Sequence, residues 1–590
     1  MSRSPVTRGA FVRGALCVML VVAACAPFST ATRAAQTGSD AFQKLVERYV
    51  AESEARDPLF ADSIGVHTYD DKLPDYSPSG RADTDAWEAA WRTQFAGLDS
   101  AKLTLGERAD LRALLDQIDA DQLEAKTIRP YETDPSIYTG AIGDAVYELT
   151  SRDYAPLEQR LQSVATRIRS IPDLVRAAEA SLSHPTRVAA ELAVQQNQGN
   201  IDLYSRDLPA LAKSASAQTQ AMLEADLPAA IASLKDFQTF LAGPLLGQAD
   251  ANPRVGAAVF DEELRLVDGT DTPRDVLVAR ARADFDRTRR EMLRLATPLY
   301  HKLLHEEPPL ESTEDAQIDA IVRPVLDKLA DHHPARDAVL ATAKSDLAGI
   351  QSFLERDPVV PLPVPDTLHV APTPEFLAGV TGAGLDPPGP FTPLAGSYYY
   401  IDEIPASWSA QRVASYLREN NDYEMRILSI HEAIPGHYVQ YRYNALTPSL
   451  VRRVWPNGSF VEGWAVYGEG MMLDAGYGGG DVALRLFQLK WRLREYANAI
   501  IDAEYHAGDL SEQQCMRLLA QAFQEPAEAQ TKWHRLELSH DQLSSYFVGL
   551  DAISQARFAH PGSVAAFNKS LLGMGSVEPR FIEALLNASP

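Results

Sequence analysis

Apolar residues recur at helical spacing along most of the chain before residue 355. Leu45, Val46 and Tyr49 lie three, four and seven positions after Phe42, so one face of a helix would carry all four. The same period runs through four longer segments, which are 103–123, 157–182, 275–304 and 318–354. Alternating strand-type runs with Asn-Gly or Asp-Gly turns are nearly absent. The pattern predicts a mainly α-helical fold.

Residues 358–393 interrupt this pattern with ten prolines. Ten prolines are too many for a helix or a central strand, so residues 358–395, the crossing segment, are expected to be extended. They would join an N-terminal half, about 41–357, to a C-terminal half, 396–590. A short strand is expected at 397–401, and helices again from Ser409 to about Leu586. We expect one unit, 41–590, with a cleft between its halves.

The first residues have the features of an export signal. Arg3, Arg8 and Arg13 precede a short apolar run, Gly14–Ala24, which is about half the length that a membrane span needs. Val22-Ala23-Ala24-Cys25 resembles a bacterial lipobox. We expect a signal peptide at 1–24, lipidated Cys25 as the first mature residue and a tether at 25–40. The alternative is an ordinary signal peptide that is cleaved near Ala31.

The charge balance argues against nucleic acid as a binding partner. The chain has 80 acidic and 55 basic residues, a net charge of −25, with no basic stripe to attract a phosphate backbone. We therefore expect no nucleic-acid partner, and membrane contact through a lipid anchor only. Three cysteines are too few for a disulfide scaffold or a thiolate zinc site, and Cys515 is expected to be a small buried residue.

Candidate metal ligands are concentrated in one short segment. His431-Glu432 is followed by His437, whereas a regular zinc helix has its second histidine four residues after the first. Six residues turn a helix by about 600°, which would place the two imidazoles on different faces. Pro435-Gly436 can form a bulge that brings His437 back beside His431. Alternatively, the helix ends at Pro435 and the two histidines are unrelated.

A second segment supplies a third candidate ligand. Glu462 lies 25 residues after His437, which suits a site of two histidines and one glutamate. Glu469 is seven residues further, on the same helical face, and could accept a hydrogen bond from a ligand imidazole. The alternative is a solvated acidic face, but Trp464 and Tyr467 make the surroundings apolar.

These motifs resemble those of the bacterial domain-of-unknown-function-885 family, whose members are exported helical proteins related to gluzincin metallopeptidases. The resemblance spans roughly residues 42–585. It rests on the two segments above, on Ser545-Tyr546 with Gly549, and on a loop containing Gly65-Val66-His67 and Tyr69-Asp70-Asp71. Two places depart from the family pattern, namely His540-Asp541-Gln542-Leu543 before Tyr546 and the residues from Asp502 to His506.

The resemblance implies one zinc ion per chain. It implies His431, His437 and Glu462 as zinc ligands and Glu432 as catalytic base. Tyr546, and after it His506, are candidate donors to a developing oxyanion, and Glu469 and Asp502 are candidates for supporting the ligands.

The function expected from these parts is that of an exported zinc metallopeptidase acting on short peptides. The same groups would also serve a metal-dependent amidase that acts on cell-wall fragments. The third possibility is a non-catalytic envelope lipoprotein with a retained metal site. Glu432 argues against it, since a structural site needs no carboxylate without a metal bond there. The sequence does not define the oligomeric state.

Overall fold

A computed structural model describes residues 30–373 and 383–588. As expected, these residues are mainly helical. The helices before the crossing segment are α1 (Thr30–Arg56), α2 (Pro58–Ser63), α3 (Pro78–Ala96), α4 (Leu105–Thr127), α5 (Pro130–Thr133), α6 (Ser136–Thr150), α7 (Leu157–Ser181), α8 (Arg187–Asp202), α9 (Leu208–Ala212), α10 (Ala217–Phe240), α11 (Ala257–Leu266), α12 (Arg274–Leu304), α13 (Glu314–Leu329) and α14 (Val339–Arg356).

The helices after the crossing segment are α15 (Ala410–Glu419), α16 (Asp422–Glu432), α17 (His437–Asn444), α18 (Leu450–Val454), α19 (Gly458–Asp474), α20 (Val482–His506), α21 (Glu512–Gln521), α22 (Pro526–Leu538), α23 (Gln542–Ala559), α24 (Val564–Gly573) and α25 (Ile582–Ala588). Short 3₁₀ or π turns occur at Ser100–Lys102, Leu203–Asp207, Leu241–Leu245, Tyr477–Gly480 and Pro579–Phe581. Among all these helices, none combines the length and apolarity that crossing a bilayer requires.

Two helix boundaries differ from what the sequence pattern suggested. Helix α1 begins at Thr30, so most of the segment expected to be a tether is helical instead. The periodic segment 318–354 is divided between α13, which ends at Leu329, and α14, which begins at Val339, and Pro334 lies in the connection between them. The expected signal peptide and Cys25 lie outside the described residues.

The crossing segment contributes two strands that the proline count did not predict. These are β1 (Leu368–Pro372) and β2 (Ala383–Asp386), and both pair with β3 (Ser397–Ile401), the strand expected from sequence. The sheet order is β1-β3-β2, with β1 parallel and β2 antiparallel to β3. Proline-free β3 is the central strand, whereas Pro372 ends an edge strand, where a missing amide donor is tolerated.

The helices on the two sides of the crossing segment share a core. Phe285 on α12 and Val322 on α13 pack in one buried cluster with Ile500 on α20 and Phe547 on α23. The crossing segment therefore does not separate two independent cores. Cys515 is fully buried in this cluster, as expected.

Helix α19 lies between two cores. Val466 belongs to the cluster that includes α12 and α20, and Trp464 belongs to the cluster that surrounds Tyr399 of the sheet. A helix buried on two sides is a rigid support for the side chains that it carries.

Candidate metal centre

The two motif histidines meet across a break between two helices. Helix α16 ends at Glu432, directly after His431, and α17 begins at His437. The chain between them leaves helical geometry, so the expected bulge is a break rather than a distortion of one continuous helix. The imidazole rings are 4.8 Å apart between centroids and nearly perpendicular. The break therefore removes the angular separation that a regular helix would impose.

Gly436 is the residue that lets the chain turn so tightly. A Cβ atom at this position would lie 1.8 Å from the carbonyl oxygen of His431 and 2.4 Å from that of Ile430. No side chain fits at these distances. Just before it, the Pro435 carbonyl accepts a 2.9 Å hydrogen bond from the indole of Trp464 on α19. The break is thus fixed by local crowding and by a contact with the next helix.

Glu462 on α19 completes the group. Its Oε2 lies 3.7 Å from His431 Nε2 and 3.5 Å from His437 Nε2. These are the separations of atoms that could bind one ion at about 2 Å each. The side chain of Glu462 is 21% exposed, against 6% and 10% for the two histidines. Solvent therefore reaches the group from the side of Glu462.

Close helix packing holds Glu462 in place. A Cβ at the adjacent Gly463 would lie 2.4 Å from the Gly549 Cα on α23, so the two helices touch through their backbones. The expectation that Gly463 permits a close approach is confirmed. Tyr546 lies one helical turn before Gly549 and is therefore brought towards Glu462.

Glu469 supports His431 as expected. The Oε1 of this fully buried side chain lies 2.9 Å from His431 Nδ1, which leaves Nε2 free to face Glu462. A carboxylate on the second nitrogen fixes both the tautomer and the ring orientation of a metal-binding histidine.

Glu432 lies at the rim of the group. Its Oε2 accepts a 3.1 Å hydrogen bond from the backbone N–H of Leu385 on β2. His431, Glu432 and His437 each offer a potential ligand atom, and these atoms lie within 4.8 Å of one another. Distance alone thus allows Glu432 to act either as a base beside a metal or as a ligand.

An unpartnered polar atom indicates that the group fits a cation. Among the described residues, the buried Glu462 Oε2 has no hydrogen-bond partner. Buried polar atoms are rarely left unsatisfied. Two imidazoles and a carboxylate form a donor set that suits Zn²⁺.

Glu462 and His431 each shift the pKa of the other. Burial would raise the pKa of Glu462, but His437 and His431 outweigh it and hold that pKa well below the usual range. Burial would lower the pKa of His431, but the adjacent carboxylates of Glu462 and Glu469 raise it well above the usual range. A bound metal must displace the proton from His431, so metal affinity should fall in acid.

Tyr546 lies near the group, but His506 does not. Burial and the Glu462 carboxylate together raise the pKa of Tyr546, and its hydroxyl accepts a 3.3 Å hydrogen bond from Arg535 on α22. The His506 imidazole instead lies 3.0 Å from the Ser539 carbonyl and stacks on Phe260. Tyr546 is therefore the better placed of the two candidate oxyanion donors.

Asp502 also belongs to another cluster. It accepts hydrogen bonds from the backbone and the hydroxyl of Ser544, and its Oδ1 lies 3.6 Å from His506. Burial raises the pKa of Asp502 to about 7 and lowers that of His506 to about 4. The expectation that Asp502 supports a ligand imidazole was wrong, because α20 directs its side chain towards the start of α23.

Two further residues of the site were missed from sequence. The negative charge of Glu462 contributes to the raised pKa of Arg535. Arg535 also donates a hydrogen bond to the Tyr546 hydroxyl. The ring of Tyr441 lies 6.4 Å from that of His437, and burial with the charges of Glu462 and Glu432 raises its pKa. Tyr441 could have been identified, since it is one helical turn after His437. No local pattern identifies Arg535.

Comparisons place the chain among proteins of similar fold. A solved protein from Shewanella oneidensis, described as a candidate lipoprotein of unknown function, is 29% identical, with a TM-score of 0.78 over 92% of this chain and 99% of that one. A candidate lipoprotein from Colwellia psychrerythraea is 15% identical, with a TM-score of 0.74 over 93% of this chain and 98% of that one. Among curated proteins, none matches this sequence.

The family model described as "Bacterial protein of unknown function (DUF885)" matches residues 58–586. This range includes both helices that carry the histidines, the helix that carries Glu462 and the helix that carries Tyr546. It also includes the loop around His67 that formed part of the sequence resemblance. The chain therefore belongs to the DUF885 family of bacterial proteins.

Proposed function

We propose that this protein is an exported zinc metallopeptidase that cleaves short peptides. One observation carries the proposal. The Nε2 atoms of His431 and His437 both lie within 3.7 Å of Glu462 Oε2. This carboxylate oxygen has no hydrogen-bond partner among the described residues. Glu432, a carboxylate that is not among these three proposed ligands, lies beside the two histidines.

His431, His437 and Glu462 would hold one Zn²⁺. Three protein ligands leave a coordination position open, as catalytic rather than structural zinc sites do. Bound there, zinc would supply Lewis-acid polarisation of a scissile carbonyl and lower the pKa of water. Glu469 would keep His431 in the tautomer that presents Nε2.

The remaining residues have complementary roles. Glu432 would accept a proton from the attacking water and pass it to the leaving amine, while the Leu385 N–H holds its carboxylate in place. Tyr546 would donate a hydrogen bond to the oxyanion that develops on the substrate. Arg535, which donates to Tyr546, would add positive potential at the same place.

The access to the site favours short or unfolded substrates. His431 and His437 are almost fully buried, and strand β2 contacts Glu432 directly. A rigid protein surface could not bring its backbone to these side chains, whereas an extended peptide presents every backbone carbonyl. The same argument disfavours folded proteins as substrates.

The test is hydrolysis of a mixed-peptide library by the purified mature chain, with products read by mass spectrometry. We expect cleavage of short peptides that stops when a chelator removes the metal and returns when Zn²⁺ is restored. A parallel reaction contains cell-wall muropeptides. Cleavage of muropeptides alone would replace the peptidase with an amidase. If neither the peptides nor the muropeptides are cleaved, the result would favour a non-catalytic lipoprotein.

We further propose that lipid on Cys25 anchors the protein to the bacterial envelope. The lipobox-like Val22–Cys25 supports it, as does the description of the two similar solved proteins as candidate lipoproteins. Mass spectrometry of the mature N-terminus is expected to find acylated Cys25, and Cys25→Ala should release the protein from membranes. An unmodified start near Thr32 would contradict lipidation and leave export intact.

A further inference from the structure

A second group of potential ligands lies in the loop around His67, far from the proposed zinc site in sequence. Asp62, His67 and Asp70 each offer a potential ligand atom, and these atoms lie within 4.8 Å of one another. His67 Nδ1 is 3.1 Å from Asp70 Oδ1. We call these three residues the N-terminal cluster.

The N-terminal cluster borders a small cavity. Asp62 and His67 line it together with Glu148, Arg152 and Tyr154. Asp62 is only 4% exposed, and its Oδ1 has no hydrogen-bond partner among the described residues. Its other oxygen, Oδ2, accepts a 2.6 Å hydrogen bond from the buried Arg167. One oxygen is therefore satisfied and the other is available to a ligand.

The charges around Asp62 do not balance. Its charged neighbours are Arg167, which is positive, and Asp70 and Glu148, which are negative. Arg152, which also lines the cavity, is paired with Asp386 at 2.5 Å. With Asp62 itself ionised, three carboxylates share the single guanidinium of Arg167, an excess of about two negative charges.

Two considerations indicate what could neutralise this excess negative charge. Adjacent carboxylates of this kind share either a proton or a cation. An imidazole among the donors favours a transition metal over Ca²⁺ or Mg²⁺, which prefer oxygen ligands.

We propose that Asp62, His67 and Asp70 bind a second divalent cation of the zinc class. The ion neutralises the excess charge and uses the unpartnered Asp62 Oδ1. It also joins α2 to the body of the protein at the point where the crossing segment passes.

The experiment measures Zn²⁺ bound per chain after equilibration with Zn²⁺ and removal of the excess. We expect about two ions in the wild type, and one in both His67→Ala and Asp62→Asn. Asp71→Asn, which changes an exposed carboxylate of the same loop, should retain two. His437→Ala should lose the ion of the proposed zinc site and keep the other. The double variant His67→Ala, His437→Ala should bind none.

These outcomes separate the two sites. One ion in the wild type and none in His437→Ala would overturn the second site and leave the first intact. One ion in His437→Ala and none in His67→Ala would overturn the first and support the second. If the loop variants do not fold, zinc anomalous scattering from wild-type crystals decides. A peak between Asp62, His67 and Asp70 supports the proposal, and its absence from Zn²⁺-equilibrated crystals overturns it.

Discussion

Glu432→Gln should abolish most peptide hydrolysis while the protein binds as much zinc as the wild type. A glutamine side chain keeps the size of Glu432 and still offers an oxygen to the Leu385 N–H, so β2 should remain in place. It cannot accept a proton from water at neutral pH. Loss of a general base typically lowers the rate by about 10²- to 10⁴-fold.

Metal content and turnover must be measured on the same preparation. Glu403→Gln is the matched control, because Glu403 is an exposed carboxylate in the loop after β3. It should change neither quantity. If the Glu432→Gln protein lost zinc as well as activity, Glu432 would be a ligand. Its carboxylate lies within 4.8 Å of the histidine nitrogens, so the geometry allows this role. Undiminished turnover would show that another group activates the water.

His437→Ala should lower the metal content by about one ion per chain and abolish hydrolysis. Removing one of three ligands leaves only His431 and Glu462, which cannot hold zinc with the affinity of a three-ligand site. His369→Ala is the control, since His369 on β1 is exposed. A His437→Ala protein with the full zinc content would show that His437 is not a ligand, and Glu432 would then be tested.

Gly436→Ala tests the same geometry without removing a ligand atom. The added Cβ would meet the His431 carbonyl oxygen at 1.8 Å, so the chain must shift just before His437. Zinc affinity should fall although all three ligands remain. Gly458→Ala provides a control at the start of α19, where a Cβ meets nothing within 4 Å. Unchanged affinity in Gly436→Ala would show that the tight turn is not needed to position His437.

Much of the site followed from local sequence. Glu462 and Glu469 are seven residues apart, and helical periodicity alone places them on one face, as the contact between Glu469 and His431 confirms. Pro435-Gly436 marked the interruption that lets His437 approach His431. The strand at 397–401 was expected from the sequence, and in the structure it is the central strand and alternates buried with half-buried residues.

Other features depended on contacts between distant segments. Strands β1 and β2 exist because β3 offers hydrogen bonds on both of its edges, which a proline count within the crossing segment cannot reveal. Arg535 joins the site only because α22 and α23 bring it to Tyr546. The shared core of α12, α13 and α20 likewise crosses the boundary that the sequence suggested between two halves.

Asp502 and His506 show where sequence reasoning ended. Their spacing of four residues places both on one face of a helix, and their separation of 3.6 Å agrees with it. The sequence determined the helices, their faces and the residue types that a metal site requires, because these depend on contacts within a few turns. Only the tertiary structure decided which faces meet. That choice depends on how distant helices pack, and it directed Asp502 to Ser544 and Glu462 to the two histidines.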